Sequence, residues 1–116
     1  MIVCVVDDLI FSIKIKTAAR HLGADLYFER SRDNVLPTIR DKRPSLVIFD
    51  LNSKALGPME AVAAMKADPE LRTVRTLGYV SHVDGGTIAA ARQAGVDEIL
   101  ARSAFVDRLA AILTEA

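Results

Sequence analysis

Five residues of this chain have the chemical types and the spacing to work together: Asp7, Asp8, Asp50, Ser81 and Arg102. Asp7-Asp8 follow the apolar run Ile2-Val3-Cys4-Val5-Val6, and Asp50 follows Leu46-Val47-Ile48-Phe49. Runs this short and this apolar suit strands buried on both faces, as in a parallel sheet. Each acid then sits where a strand leaves the core. In open parallel α/β sheets that carboxyl edge is where ligands bind. If the two strands are neighbours, three carboxylates converge on one rim. Two unit charges about 4 Å apart repel by about 4 kcal/mol at an effective dielectric of about 20, so such a cluster calls for a proton or a cation. Hard oxygen ligands favour Mg²⁺, which keeps waters and takes one or two carboxylates plus phosphate oxygens. Ser81 falls at the end of a later strand, where its hydroxyl can donate to an anion. Arg102 follows the last strand and sets a positive fork beside the same anion. Taken singly, each has a plainer role: Asp7 or Asp8 as a helix cap, Ser81 as a turn residue, Arg102 as a solvated side chain. The set of four strand ends is what argues for a site.

The elements that must position these residues follow from periodicity. Strands are expected at 2–6, 25–28, 45–49, 76–80 and 97–100. The first helix runs over 10–22 with Phe11, Ile15, Ala18, Ala19 and Leu22 on its inner face and Gly23 as its stop. Ser31 or Asp33 is expected to cap the second, lined by Val35, Leu36 and Ile39 and ended by Pro44. A polar loop, 51–57, leads to Pro58 in the first turn of the third helix, with Met59, Val62, Ala63 and Met65 inward and Asp68-Pro69 at its end. Asp84 caps a fourth helix at 85–94, stopped by Gly95. Phe105, Leu109, Ile112 and Leu113 line a fifth. The connections between strands are long enough for parallel crossovers. Five strands alternating with five helices predict a right-handed doubly wound α/β sheet forming one domain over 1–116.

Composition narrows the function classes. The chain has 116 residues, 51% hydrophobic and 26% charged, which reads as an ordinary soluble globular domain. Fifteen basic and fifteen acidic residues cancel, so no global field favours nucleic acid. No apolar run approaches a membrane span. No basic region precedes the first apolar run, so it does not read as a signal peptide, and a whole single-domain protein is expected. The single cysteine, Cys4, lies in a predicted core strand and reads as a buried structural thiol. A reducing, cytoplasmic setting is the expectation. No Gly-rich turn follows the first strand, which argues against nucleotide binding.

The chain resembles the response-regulator receiver domain of two-component signalling, over essentially its whole length. Val5-Val6-Asp7-Asp8 looks like the family's acidic pair, Val47-Ile48-Phe49-Asp50 like its phosphoacceptor strand, and Tyr79-Val80-Ser81 like its switch hydroxyl. Residues 94–100, Ala-Gly-Val-Asp-Glu-Ile-Leu, look like its approach to strand 5. The resemblance implies a flavodoxin-like sheet of order 2-1-3-4-5, Mg²⁺ binding, and phosphoryl transfer from a histidine kinase or phosphotransfer protein to Asp50. Asp8 would hold Mg²⁺ directly, Asp7 through water, Asp50 as acceptor and Asn52 through its backbone carbonyl. Ser81 would follow the phosphoryl oxygens. The output would be binding of a downstream protein or a phosphorelay.

The chain also departs from that pattern. Arg102-Ser103 stands where the family has lysine then proline, Ile99 where it has an aromatic residue, and His82 where it has a small one. Lys54 and Gly57-Pro58 alter the loop after the acceptor. These departures motivate an alternative, a pseudo-receiver that binds protein partners without switching by phosphorylation. Its surface would be the fourth helix, fifth strand and fifth helix, where Arg92, Asp97, Glu98, Asp107 and Arg108 offer mixed charges for a homodimer. A metal-dependent hydrolase of the haloacid-dehalogenase kind is disfavoured, because Asp50-Leu51-Asn52 lacks a second acid two residues on.

Overall fold

The computed structural model of the chain describes residues 1–81 and 84–116. Five strands form one sheet: β1 (Ile2–Val5), β2 (Leu26–Phe28), β3 (Leu46–Asp50), β4 (Arg75–Val80) and β5 (Glu98–Ala101). Their order is 2-1-3-4-5 and every pairing is parallel. The expected doubly wound α/β architecture is therefore the observed one. β3 is central, and Val47, Ile48 and Phe49 are fully buried, as an apolar run without alternation requires.

Six α-helices flank the sheet: α1 (Leu9–Leu22), α2 (Val35–Lys42), α3 (Pro58–Ala67), α4 (Gly85–Ala94), α5 (Arg102–Asp107) and α6 (Leu109–Glu115). The core divides by strand parity. Cys4, Leu46, Ile48, Leu77 and Tyr79 pack against Phe11 and Ile15 of α1 and Phe105, Leu109 and Ile112 of α5 and α6. Val3, Val5, Val47 and Phe49 pack on the other face against α2, α3 and Ala91 of α4. Asp50 shares the parity of Leu46 and Ile48, so it is presented on the α1/α5 side.

Several boundaries differ from expectation for identifiable reasons. The expected fifth helix is two, broken at Arg108, whose backbone leaves the helical range at φ −99°, ψ 4° and whose guanidinium reaches back to Glu98 of β5 at 2.7 Å. Neither Ser31 nor Asp33 caps α2. A 3-10 turn, Arg32–Asn34, enters it instead, and no side-chain cap forms at Ser31 before the turn or at Asn34 before α2. Ser31 donates its N–H to the buried Glu29 carboxylate at 3.1 Å. α2 ends on Arg43 at φ +47°, before the Pro44 that cannot continue it. The polar loop after Asp50 tightens into a 3-10 turn, Lys54–Leu56. Leu22 is 45% exposed and Ala63 is exposed too, so both leave the inner stripes assigned to them. Gly23, Asp84 and Gly95 terminate their helices as expected, with Asp84 accepting the Thr87 N–H at 2.6 Å.

One glycine has a packing reason. Gly78 in β4 lies beneath the Leu51 side chain, and a Cβ there would meet Leu51 Cδ1 at 2.5 Å. A larger residue would push away the loop that carries Asn52.

Candidate functional site

The rim begins at Asp8. Its Oδ1 accepts the Phe11 N–H at 3.0 Å, so it is the N-cap of α1. Its Oδ2 faces Arg102 Nη2 at 3.6 Å. Arg102 opens α5 directly after β5, and its guanidinium lies 4.1 Å over the Phe11 ring. Cation–π and ion-pair contacts at such half-exposed positions contribute about 0.5–1 kcal/mol each. They locate the arginine on the acid rim, as its place after the last strand predicts. The two roles open to Asp8, cap and site acid, turn out to be compatible, because each uses a different oxygen.

Asp50 is half-buried at the carboxyl end of β3. Its Oδ1 accepts the Asn52 N–H at 3.0 Å. Burial pushes its carboxyl above the ordinary value. The Asn52 N–H opposes that, Asp7 reinforces it, Arg102 opposes it, and Asp8 reinforces it. Asp7 and Asp8 therefore both bear on Asp50, and burial, more than any charge, disfavours its ionised form. Among the described residues, however, no group of three or more His, Cys, Asp or Glu side chains is arranged ready to hold a metal ion. Asp8 has one oxygen committed to the helix cap. The Asn52 carbonyl accepts the Lys54 N–H at 3.1 Å. The donors are all hard oxygens and their mutual repulsion favours an added cation, so the residue set fits Mg²⁺ chemistry.

Ser81 is tied to the neighbouring loop. Its N–H and its hydroxyl both donate to Asn52 Oδ1, at 2.7 and 3.1 Å. That side-chain link between the loops after β3 and β4 joins two residues singled out separately in the sequence. His82, expected either to crowd the pocket or to lie on a surface turn, falls outside the described residues.

Two groups at the rim are not singled out by sequence. Tyr79 sits beneath it, 1% exposed, with its ring 4.9 Å from Phe11 and stacked on Phe105 at 5.0 Å. Its hydroxyl is buried with no hydrogen-bond partner among the described residues, an arrangement that costs about 1–3 kcal/mol. Burial, and next the Asp50 charge, hold the phenol well above its ordinary value. The available signal was a tyrosine two positions before Ser81, near the end of the fourth strand. The other group is an apolar trio at the start of α1: Leu9, Ile10 and Ile13, 65%, 82% and 63% exposed. The signal there was apolar residues lying off the Phe11/Ile15 stripe.

No family model matches this sequence, and no curated protein matches it. Solved structures do match. Superposition on the phosphorylated cyanobacterial phytochrome response regulator RcpA gives a TM-score of 0.80 at 22% identity, over 98% of this chain and 88% of that one. The receiver domain of sensor histidine kinase PA1611 from Pseudomonas aeruginosa, with a magnesium ion in its active-site cleft, gives 0.84 at 20% identity, over 98% and 93%. The chain has the receiver fold. A two-component response regulator from Legionella pneumophila gives 0.81 at 13% identity, over 99% and 98%. In this receiver fold Asp50 stands at the carboxyl end of the central strand, with Asp8 at the neighbouring β1 end. Identities this low carry the fold alone, so the function must be argued from the residues.

Proposed function

We propose that the chain is a phosphoacceptor receiver, taking a phosphoryl group on Asp50 from a histidine kinase or phosphotransfer protein. The observation that carries this reading is the placement of Asp50, half-buried at the carboxyl end of the central strand beside the β1 end that leads to Asp8. Among the described residues its carboxylate accepts one backbone N–H, from Asn52, while burial, Asp7 and Asp8 disfavour its charge and Arg102 favours it. A carboxylate kept for stability is normally surrounded by donors; this one is kept reactive. In the reaction Asp50 Oδ2, the oxygen not engaged by Asn52, attacks phosphorus. The new O–P bond forms as the bond to the donor's leaving atom breaks, and that atom keeps the electron pair and takes up a proton. Asp8, Asp50 and the Asn52 carbonyl would hold Mg²⁺ directly and Asp7 through water, and the ion would supply neutralisation of the charge developing on the transferred group. Asn52 orients the carboxylate through its N–H and ties the Ser81 hydroxyl to the same loop. Arg102, near Asp8, is the cation that the phosphoryl dianion attracts.

The partner that brings the phosphoryl group must reach the rim, where Leu9, Ile10 and Ile13 present an apolar face. That trio is the docking contact for the donor protein, and the zero net charge of the chain supplies no global field to attract nucleic acid. No helix among the described residues is long and apolar enough to cross a membrane. A cytoplasmic signalling role fits this reading. The test is labelling by a small phosphodonor with Mg²⁺. The wild type should take up about one phosphoryl group per chain, and Asp50→Ala should take up none; equal labelling of the variant would overturn the assignment.

A second reading, the pseudo-receiver, is favoured by Arg102. Its contacts to Asp8 and Phe11 neutralise part of the rim without any ligand. Chemical shifts near Asp50 that stay fixed on titration with Mg²⁺ and beryllofluoride would select it.

A further inference from the structure

Tyr79 is the unspent donor of the site. It pairs with Asp50 in the β3–β4 register, so the two side chains stand on the same face of the sheet. Phe11 and Phe105 hold its ring, tilted against one and stacked on the other, so the direction of its hydroxyl is set by packing. That hydroxyl is buried and has no partner among the described residues. Buried polar groups are nearly always paired, and an exception needs a reason. Asp50 exerts the largest of the charge effects on the phenol, followed by Arg102 and Asp8. Meanwhile the Ser81 hydroxyl, the donor expected to meet the anion, is already engaged by Asn52.

We propose that the Tyr79 hydroxyl is a binding group of the phosphoacceptor site, donating a hydrogen bond to an anionic oxygen of the group carried on Asp50. The proposal rests on the reading of Asp50 as acceptor and adds a residue to it. A tetrahedral anion on Asp50 carries its oxygens beyond the carboxylate, toward a donor that the bare carboxylate leaves unpaired. The same anion draws Arg102 off Asp8 and clears the approach to the ring trio.

Tyr79→Phe keeps the ring and both aromatic contacts and removes only the hydroxyl. In the presence of Mg²⁺ it should bind beryllofluoride about tenfold more weakly than the wild type, equivalent to about 1.4 kcal/mol. Its urea midpoint should be unchanged or higher, since an unpaired buried donor has been removed. A purely structural tyrosine would leave binding alone. Near-UV tyrosine absorption gives a second measurement: saturation with beryllofluoride should shift it in the wild type and not in Tyr79→Phe, where Tyr27 is the remaining tyrosine. Binding by Tyr79→Phe within about twofold of the wild type, a difference of about 0.4 kcal/mol, overturns the Tyr79 proposal and leaves Asp50 standing. Failure of the wild type to bind, or binding retained in Asp50→Ala, overturns the acceptor reading and this proposal with it.

Discussion

Asp50 and Asp97 stand at opposite edges of the same sheet, and their surroundings are reversed. Asp97, at the amino edge before β5, accepts the Thr76 N–H at 2.8 Å, the Thr76 hydroxyl at 3.0 Å and the Lys66 ammonium at 3.2 Å. Its own N–H donates back to the Thr76 hydroxyl at 3.0 Å. Burial works against its ionisation, but those donors outweigh it and hold the carboxyl below its ordinary value. Asp50, at the carboxyl edge, has one such donor and is held above. The first aspartate fastens β5 to β4. The second has its charge disfavoured by burial and by two neighbouring acids. This sheet holds a well-satisfied acid at one edge and a poorly satisfied one at the other, and in the proposed reading the second is the reactive one.

The largest expected effect strikes the structural end of this contrast. Asp97→Ala leaves the buried Thr76 N–H without its acceptor and should lower stability by about 2–3 kcal/mol in urea unfolding. Asp50→Ala should leave stability unchanged or raise it. If both variants fall equally, the two aspartates are alike and the contrast fails.

Titration separates the two aspartates by sign. Asp97 is lowered, so its contribution is present above the ordinary aspartate value of about 3.9 and is lost as pH falls through the lower folded value. Asp50 is raised. Its ionisation costs stability as pH rises from about 3.9 through the raised folded value, and the cost persists at neutral pH. Asp50→Asn, which retains an acceptor for the Asn52 N–H, should therefore match the wild type at low pH and exceed it at about pH 7. Urea midpoints measured across this range check both slopes; Asp50→Asn less stable than the wild type at neutral pH would reverse the assignment.

How far the chain could be read in advance follows the same divide. The buried strands, helix stops and cap at Asp84 depend on local periodicity and turn chemistry, which is why the element types agree so closely; the sheet order was implied by the resemblance to receiver domains and not by any local signal. The acids at the ends of β1 and β3 were legible because a charged residue directly after an apolar run marks the point where a strand leaves the core. Tyr79 was not legible as a site residue, because its importance arises from register with Asp50 and from Phe11 and Phe105 meeting around it. The Asn52–Ser81 link was hidden for the same reason: it joins residues 29 positions apart. The break at Arg108 depends on Glu98 across the fold, and no periodicity signals it.

Arg102 tests the contrast more finely, since its charge is the one that lowers Asp50 by attraction, against the two acids that raise it. Arg102→Ala removes a cation from beside Asp8 and should tighten Mg²⁺ binding about threefold to tenfold, while weakening beryllofluoride binding. Stability should fall by no more than about 1 kcal/mol, the scale of one exposed ion pair and one cation–π contact. Calorimetric Mg²⁺ affinity unchanged in the variant would place Arg102 outside the working field of the site.

The smallest effect concerns the charged face of α4, β5 and α5, which the sequence offered either as a solvated face or as a homodimer surface. There Asp97, Glu98 and Arg108 are matched within the chain, unlike the Asp50 rim. Glu98 accepts from Arg108 at 2.7 Å, and Asp97 is occupied by Lys66 and Thr76. Charges already paired inside one molecule give a second copy little to complement. Glu98→Ala and Arg108→Ala should each cost about 0.5 kcal/mol, as exposed pairs do, and sedimentation velocity should return the same species as the wild type. A shift toward smaller species in either variant would mean that this pair reaches across an interface, and the matched face would then have to be counted as a working surface alongside the rim.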